Sequence, residues 1–259
     1  MEKIIEHKNI IVSISVVSHG QMDLIAFLMQ DIQTYCRDMA VELILTLNTS
    51  LDFEPDVVEF SYPVTVIRNS SPKGFGTNHN QAFRLARGAN FCILNPDIRL
   101  HCCPFLVLAE LLEDTTVGAV APLVLNPSGS IEDSIRRFPT FTKIIGKLFK
   151  RNWTVDYVLR ENTVNVDWVA GMFMMFSRLV FLQLEGFNER YFLYYEDVDI
   201  CARINLAGLR VVVYPASHVV HHAQRHSHRS LKYLRWHTMS LFRFLVSPQY
   251  RQLKQLHRL

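Results

Sequence analysis

Short apolar runs alternate with segments of helical periodicity in the first half of the chain. The runs are rich in β-branched residues and predict buried strands at residues 10–17, 41–47, 64–67 and 91–94. Apolar residues at helical spacing predict helices around Leu24, Leu28, Ile32 and Tyr35, and around Ala82, Phe83, Leu85 and Ala86. The alternation predicts an α/β protein with a parallel sheet covered by helices on both faces.

The second half of the chain carries weaker signals. A helix is predicted from Pro104, and strands are predicted at residues 117–122, 172–176 and 211–214, the last ended by Pro215. Residues 124–131 are typical of a hairpin turn. Residues 140–165 predict no regular element, and a further helix is predicted to begin at Glu196.

Polar residues follow each of the first four predicted strands. They are Ser18, Asn48, Asn69 and Asp97. In a parallel sheet these strand ends lie at one edge, where ligands bind, and short polar side chains suit hydrogen bonds to a nucleotide and its sugar. Turn formation alone also selects Ser, Asn and Asp, so both interpretations stay open for each residue.

Three carboxylates follow an aromatic run. Glu196, Asp197 and Asp199 fall within four positions, directly after the aromatic-rich residues 191–195. Acidic side chains are favoured in a first helical turn, and Asp199 is spaced to pair with Arg203. The alternative is an aromatic-walled pocket in which one carboxylate accepts a proton and a neighbour orients it.

Length and cysteine usage narrow the class of protein. A chain of 259 residues suffices for one large α/β domain, or for a domain with a small appendage. Its five cysteines are an odd number without a C-x-x-C pair, which is typical of reduced thiols in a cytosolic protein. The charged N-terminus argues against a signal peptide, and no apolar run is long enough to span a membrane, so we predict a soluble or peripheral protein.

Charge is distributed unevenly along the chain. The formal net charge is +3, yet residues 222–259 hold eight Lys or Arg and no Asp or Glu, so residues 1–221 carry −5. A basic tail on a mildly acidic body predicts an anionic partner. Residues 230–246 mix leucines and phenylalanines with cations, which is typical of a helix in a membrane interface; a helix that caps the core or forms an oligomer contact is the alternative.

Some of these residues suit a metal and phosphate site. Asp97 offers a hard oxygen ligand at a strand end, as Mg²⁺ or Mn²⁺ on a diphosphate requires. Histidines crowd into eleven residues downstream, at positions 218, 221, 222, 226 and 228. One of them could complete the metal site, or the group could be a weakly basic surface. The Gly74-Phe75-Gly76 loop would let the backbone approach a ligand, but it lacks a complete phosphate-binding fingerprint.

The order of these blocks resembles glycosyltransferase family 2. The blocks include Gly74-Phe75-Gly76, Leu94-Asn95-Pro96-Asp97, Trp168-x-x-Gly171, Glu196-Asp197-x-Asp199-x-Cys201-x-Arg203 and His221-His222. The likeness runs from about Ile11 to about Ser230 and is greatest to bacterial rhamnosyltransferase-like members that build surface polysaccharides. It implies a GT-A fold over residues 1–229, a mixed, mainly parallel sheet flanked by helices, and a basic helical tail over residues 230–259.

The resemblance also implies a reaction, the inverting transfer of a sugar from a nucleotide-diphosphate donor to a hydroxyl group. Asp197 matches the general base, and Asp97 and His221 match the ligands of a divalent Mg²⁺ or Mn²⁺. Residues that match the acceptor side are Trp168, Gly171 and Glu196. A dTDP-rhamnose donor is the leading expectation, with UDP-hexoses open. The expected acceptor is a growing bacterial glycan on a lipid diphosphate, met in the cytoplasm or at the inner face of the plasma membrane.

The donor-binding residues implied by the resemblance are Ser18, Asn48, Asn69, Gly74, Asn78, Asn95 and Asp97. Some positions depart from the family pattern. Asn95 replaces the first carboxylate of the metal motif, residues 47–50 lack a carboxylate for the base or ribose, and Asn188 and Ser18-His19 are also unusual. These departures leave the nucleotide and the metal requirement open, and they leave Asp197 in place.

Two other classes of function fit the sequence less well. A non-catalytic subunit that binds a nucleotide sugar or a carbohydrate would keep the fold and lack the base, whereas Asp197 is present. A nucleic-acid-binding protein would use the basic tail, but the cations are not interleaved on an aromatic strand platform. No nucleic-acid partner is therefore expected.

Overall fold

The computed structural model describes residues 9–49, 60–140, 156–159, 163–223 and 231–256. Within them the elements, in chain order, are β1 (Val12–Ser18), α1 (Met22–Tyr35), β2 (Val41–Leu47), β3 (Val64–Arg68), α2 (Phe75–Phe83), β4 (Asn90–Leu94), β5 (Ile98–Arg99), α3 (Phe105–Leu111), β6 (Val117–Leu125), β7 (Ile135–Arg136), β8 (Val164–Val166), β9 (Trp168–Val169), β10 (Phe173–Ser177), α4 (Arg178–Gln183), α5 (Glu196–Leu206), β11 (Arg210–His221), α6 (Leu231–Leu245) and α7 (Pro248–Gln255). Most of the unassigned stretch 140–165 lies outside the described residues.

One large sheet forms the centre of the protein. Its strand order is β3-β2-β1-β4-β10-β6-β11-β5, and β8 pairs with β11. Strands β1 to β4 run parallel, as do β6 and β11, whereas β10 is antiparallel to both β4 and β6. The predicted mixed, mainly parallel sheet is thereby confirmed. Because β10 reverses between the two parallel groups, the carboxyl ends of β1, β2, β3, β4, β6 and β11 share one edge.

Apolar side chains fill both faces of this sheet. Strands β1, β2 and β4 are buried along their whole length, which explains why they appear in the sequence as nearly continuous apolar runs. On one face α1 and α3 pack around Ile14 and Phe105. On the other face α2, α4 and α5 pack around Phe91 and Phe181. The core therefore holds the strands rigidly beneath the edge where they end.

Strand β11 does not end at Pro215, and the prediction of a strand at 211–214 was wrong in that respect. The strand runs from Arg210 to His221 with an irregular register between Tyr214 and His218. Proline lacks the backbone N–H that the ladder needs, and a bulge accommodates it without ending the strand. The extension carries His221 to the carboxyl edge of the sheet.

Other boundaries differ by a few residues. Helix α2 ends at Phe83, so Leu85 and Ala86 lie in the turn that follows rather than in the helix. The predicted hairpin at 124–131 is present and is closed by a bridge between Leu125 and Ile131. The short strands β5, β7, β8 and β9 were not predicted, because two or three residues are too few to show a period.

The C-terminal helices pack on the domain with one face. The Trp236 ring lies 4.7 Å from the Phe192 ring, measured between centroids, and the Ser240 hydroxyl donates to the Leu193 carbonyl oxygen at 3.0 Å. Phe244 is fully buried and joins the core cluster that also contains α5. The predicted boundary between residues 229 and 230 stays a prediction. Within the described ranges, no helix is long and apolar enough to cross a membrane.

Candidate active site

The shared edge of the sheet brings distant segments together. The Asn95 N–H donates to the Met172 carbonyl oxygen at 2.9 Å, which joins the end of β4 to the start of β10. The next residue back, Gly171, donates its N–H to Asp197 Oδ2 at 3.1 Å. Backbone contacts therefore link the turn that carries Asp97 to the carboxylates at the start of α5.

Asp97 and His221 form a pair at this edge. Asp97 lies in the turn between β4 and β5, and the pairing of β5 with β11 sets Ile98 opposite His221. His221 Nε2 lies 3.3 Å from Asp97 Oδ2, and both side chains are largely buried. The His222 N–H also donates to the Asp97 carbonyl oxygen at 2.8 Å. The two residues predicted as metal ligands are therefore adjacent in space.

The chemistry of this pair fits a divalent ion. Asp97 Oδ1 and His221 Nδ1 are buried and have no hydrogen-bond partner in the part of the chain that the structure describes. Such atoms are costly to bury unless something engages them. Carboxylate oxygens suit Mg²⁺ and Mn²⁺, and the neutral imidazole of histidine is the commonest metal ligand in proteins. No group of three or more His, Cys, Asp or Glu that could hold a metal occurs among the described residues.

Glu132 is a neighbour that the sequence analysis did not single out. Its Oε1 lies 4.0 Å from His221 Nδ1, the ring nitrogen that does not face Asp97. Glu132 follows the hairpin turn after β6 and is fixed there by a bond from its N–H to the Val124 carbonyl oxygen at 2.8 Å. Its position just beyond a predicted turn was the one available signal. The arrangement places carboxylates at both ring nitrogens of His221.

The predicted donor-binding asparagines form a buried network. Asn69 Nδ2 donates to Asn48 Oδ1 at 2.9 Å and to Asn78 Oδ1 at 2.7 Å. Asn48 also accepts from the Lys73 N–H at 2.8 Å and donates to the Lys73 carbonyl oxygen at 2.9 Å. These bonds tie the ends of β2 and β3 to the loop before α2. Asn69 Oδ1 is the buried oxygen of this network that has no partner among the described atoms.

Two other predicted donor-side residues shape the backbone around them. Ser18 is fully buried, and its Oγ accepts from the Gly20 N–H at 3.2 Å in the turn after β1. Gly74 has no room for a side chain, because a Cβ there would lie 2.9 Å from the Phe192 carbonyl oxygen. That approach lets the Phe75 N–H donate to the same carbonyl at 2.9 Å. The start of α2 is thereby joined to the segment that precedes α5.

Consecutive tyrosines adopt left-handed backbone conformations just before α5. The φ angle is 70° at Tyr194 and 69° at Tyr195. Bulky residues rarely adopt this conformation, and the strain persists only where the surroundings impose it. The His237 ring of α6 lies 5.4 Å from both tyrosine rings, and Phe244 lies 5.9 Å from Tyr195, all between centroids. The tail therefore packs directly on the turn that delivers Glu196 and Asp197.

Glu196 and Asp197 are adjacent carboxylates with different environments. Burial, with the Asp197 charge second, raises the pKa of Glu196 well above its ordinary value, and Glu196 Oε2 has no partner in the described structure. Burial also raises the pKa of Asp197, but hydrogen bonds from the N–H groups of Gly171 and Val198 oppose this, at 3.1 and 2.8 Å. Asp197 is therefore the member of the pair that ionises more readily.

Asp199 has a structural partner. It forms an ion pair with Arg203 at 2.8 Å, which confirms the pairing predicted from their spacing. Arg203 also donates to the carbonyl oxygens of Leu184 and Gly186, the latter at 2.8 Å. This ion pair therefore fixes α5 to the loop after α4. Glu196 and Asp197, by contrast, take no part in it.

The predicted acceptor residues lie along the short strand β9 and the turn after it. Trp168 pairs with Arg136 of β7, and its indole N–H donates to the Arg137 carbonyl oxygen at 3.1 Å. Gly171 lies against the Phe75 ring and bonds Asp197, as given above. Arg136 is largely buried and forms an ion pair with Asp133. A cation, an indole and the paired carboxylates thus lie on neighbouring segments.

The remaining histidines of the cluster do not join Asp97. His218 and His222 are exposed, and His226 and His228 lie outside the described residues. Of the predicted histidine cluster, His221 is therefore the member that the described structure brings into the site.

All five cysteines carry free thiols, as predicted.

Solved structures share this architecture. GalNAc-T7, crystallised with UDP, GalNAc and Mn²⁺, superposes with a TM-score of 0.61 at 15% identity, over 84% of this chain and 45% of that chain. The mannosyltransferase PcManGT from Pyrobaculum calidifontis, in complex with GDP-Man and Mn²⁺, gives 0.58 at 19% identity, over 92% of this chain and 65% of that chain. These similarities show that the chain has the GT-A fold.

The chain belongs to glycosyltransferase family 2. The family model described as "Glycosyltransferase like family 2" matches residues 28–238. Rhamnosyltransferase WbbL of Escherichia coli (strain K12) is 30% identical over 249 residues, which cover 91% of this chain and 92% of that protein. N-acetylglucosaminyl-diphospho-decaprenol L-rhamnosyltransferase of Mycobacterium tuberculosis (strain CDC 1551 / Oshkosh) is 29% identical over 229 residues, 80% of this chain and 75% of that protein. The resemblance to rhamnosyltransferase-like members is confirmed.

Proposed function

We propose that this protein transfers L-rhamnose, with inversion, from dTDP-rhamnose to a hydroxyl group of a growing bacterial surface glycan carried on a lipid diphosphate. The observation that carries the proposal is the arrangement of Asp197, held by the Gly171 N–H, at the same edge of the sheet as the Asp97–His221 pair. A base and a diphosphate site at one edge are what a direct displacement at a sugar carbon requires.

Asp197 is the proposed general base. Its two backbone hydrogen bonds favour the ionised form, while burial keeps its pKa above the ordinary value, so the ionised carboxylate is more basic than that of an exposed aspartate. It would accept the proton of the acceptor hydroxyl as that oxygen attacks the anomeric carbon. Glu196 keeps its proton to higher pH because of its burial, and this limits repulsion between the two side chains.

Asp97 and His221 are proposed to hold a divalent ion, Mg²⁺ or Mn²⁺. When bound, such an ion supplies positive charge that stabilises the leaving diphosphate. The orphaned Asp97 Oδ1 supports a ligand at this position, with His221 Nε2 beside Asp97 and Nδ1 facing Glu132. The two similar structures named above contain Mn²⁺. Because the leaving group would be stabilised here, no protein acid is required on that side.

The donor loop supports a nucleotide. The network of Asn48, Asn69 and Asn78 shapes the loop between β3 and α2, and its free acceptor, Asn69 Oδ1, suits the imide N–H of a thymine or uracil base. Ser18, Gly74 and Asn95 would contribute the surrounding backbone. The rhamnose donor and the lipid-linked acceptor are supported by the names of the two rhamnosyltransferase relatives.

The outer face of α6 supports contact with a membrane surface. It exposes Leu231, Leu234, Met239 and Phe242, with Val246 just beyond the helix, to 50% or more. Lys232 and Arg235 lie among them and are exposed. An apolar face edged by cations suits an anionic lipid interface, where a lipid-linked acceptor is found. The inner face of the same helix packs on the tyrosines before Asp197, so a membrane-bound tail would place the acceptor side near the lipid head groups.

A transfer assay tests the proposal. The purified protein is incubated with dTDP-rhamnose, UDP-glucose or GDP-mannose and a polyprenyl-diphosphate-linked N-acetylglucosamine, with Mn²⁺ or with EDTA, and the anomeric configuration of the product is read by NMR. We expect transfer from dTDP-rhamnose, with inversion, that EDTA abolishes. Transfer from another donor would overturn the rhamnose assignment, and retention would overturn the displacement mechanism.

The second candidate is a non-catalytic subunit that binds the nucleotide sugar. A thermal-shift panel with dTDP, UDP, GDP and CMP, each with and without Mn²⁺, separates the two, because a ligand that binds the native state raises the melting temperature by mass action. Stabilisation by dTDP without transfer to any acceptor tested would favour the binding subunit.

A further inference from the structure

The Phe75 side chain lies directly against Gly171. A Cβ at residue 171 would lie 2.9 Å from Phe75 Cζ and 3.2 Å from Cε1, closer than side chains tolerate. Gly171 is also the residue whose N–H bonds Asp197 Oδ2. The ring of Phe75 therefore touches the backbone unit that holds the carboxylate.

Phe75 is itself held firmly from behind. Its ring packs against His79 at 4.4 Å and Phe187 at 5.8 Å between centroids, and its N–H donates to the Phe192 carbonyl oxygen at 2.9 Å. His79 is fully buried, and its Nδ1 lies 2.8 Å from the Ser15 hydroxyl. Burial lowers the pKa of His79 to about 3, so the ring is neutral at physiological pH. The Phe75 ring thus packs between the uncharged rings of His79 and Phe187 on one side and Gly171 on the other.

We propose that Phe75 is a positioning residue for Asp197, because its ring presses on Gly171 and keeps the Gly171 N–H on the carboxylate. The inference rests on the proposed role of Asp197 as the base. Phe75 follows Gly74, and the preceding Lys73 is bonded to Asn48 of the asparagine network. The loop predicted to contact the donor therefore also holds the base in place.

The proposal has an electrostatic consequence. The Gly171 N–H stabilises the ionised Asp197 carboxylate, so displacement of this N–H should raise the midpoint of the Asp197 titration. Loss of a hydrogen bond to a charged group corresponds to a rise of about one pH unit. The titratable groups that interact with Asp197 are Glu196, Tyr195 and Cys201 on its own segment. Arg136 from β7 and His237 from α6 face Tyr195. Burial raises the pKa of Tyr195 to about 12 and also raises the pKa of the Cys201 thiol, so Glu196 is the neighbouring carboxyl group among them.

Amide NMR on protein labelled with ¹⁵N-glycine tests the proposal without any assay of transfer. The chain has ten glycines, and the Gly171 signal is assigned by its loss in Gly171→Ala. In the wild type the Gly171 amide shift should follow the ionisation of Asp197, and Asp197→Asn should abolish that dependence. In Phe75→Leu we expect a smaller dependence with a higher midpoint.

The matched control is Phe83→Leu, which removes a ring of the same size at the end of the same helix. Phe83 packs against Phe91 and Phe181 at 5.1 and 4.7 Å between centroids, away from Gly171. It should leave the Gly171 titration as in the wild type. If Phe75→Leu also leaves it unchanged, the positioning role is overturned.

A suppressor experiment adds a second readout. Gly171→Ala should lower kcat about 100-fold, because the new Cβ meets the Phe75 ring and displaces the N–H. Adding Phe75→Leu should restore part of that loss, whereas adding Phe83→Leu should not. Equal activity of the single and double variants would contradict the proposal. If the wild type transfers no sugar at all, the proposed function fails, and the NMR titration still decides the role of Phe75.

Discussion

The two sides of the site are held by different kinds of contact. On the proposed diphosphate side, Asp97 directly precedes β5 and His221 ends β11, and the ladder between these strands sets their separation. On the proposed acceptor side, Asp197 follows two left-handed tyrosines, which contact side chains of α6, and accepts a bond from Gly171. We therefore expect the diphosphate side to tolerate distant substitutions that disturb the acceptor side.

Asp197→Asn should break the acceptor side with the largest effect. Loss of a general base is expected to lower kcat about 10²–10⁴-fold, while the amide keeps the shape of the side chain. The stabilisation by dTDP and Mn²⁺ in a thermal-shift measurement should stay as in the wild type, because the diphosphate side is untouched. Wild-type kcat in this variant would show that Asp197 is not the base.

Two phenylalanines on opposite faces of α6 sharpen the comparison. Phe244 is fully buried, so Phe244→Ala should cost about 3–5 kcal/mol of unfolding free energy and lower kcat by loosening the turn at Tyr195. Phe242 is 67% exposed, so Phe242→Ala should change stability by less than about 0.5 kcal/mol and weaken binding to anionic vesicles. Urea unfolding and vesicle co-sedimentation measure the two effects. Equal vesicle binding by Phe242→Ala and the wild type would count against the membrane contact.

On the diphosphate side, Glu132→Ala should weaken Mn²⁺ binding. If His221 Nε2 binds the ion, Glu132 at the other ring nitrogen would orient the ring, and removal of such a carboxylate typically costs about 10–100-fold in metal affinity. Glu132→Gln keeps an oxygen acceptor and should lose less. Asp133→Ala is the control, because that neighbouring carboxylate pairs with Arg136 instead. An EPR titration of Mn²⁺ with dTDP present measures the affinities, and equal values for the alanine variants would contradict this role.

The smallest expected effect is on the pH dependence of stability. The pKa of Glu196 is raised by burial and by the Asp197 charge, so the native state binds this proton more tightly than the unfolded chain does. Its ionisation therefore costs stability as pH rises above the unfolded value of about 4.3. Glu196→Gln removes that cost, so its melting temperature should exceed that of the wild type at neutral pH. Scanning calorimetry should show the gain disappear below about pH 4.

Much of the fold was readable from local patterns. Strands buried on both faces, such as β1 and β2, appear as continuous apolar runs, and the order of the motif blocks indicates the family. The extension of β11 beyond Pro215 could not be predicted, because proline usually ends a strand and the bulge depends on pairing with β6. That extension is what brings His221 to Asp97.

The candidate site also has features that the sequence showed and others that only the folded chain shows. The residue types at the strand ends and the acidic block at α5 were evident from spacing, and the pairing of Asp199 with Arg203 follows from one helical turn. The contacts of Glu132 and Phe75 were not evident from spacing. Each lies against a residue far away in sequence, His221 for the first and Gly171 for the second.

The sequence by itself determined that three carboxylates begin one helix and that polar residues end the strands, because both depend on short-range periodicity and turn chemistry. It did not determine which of the adjacent carboxylates ionises first. The tertiary structure decides that, through burial of Glu196 and a hydrogen bond to Asp197 from Gly171, 26 positions earlier in the chain. The proton affinity of a carboxyl group depends on the donors and the solvent around it, and only the folded chain assembles those.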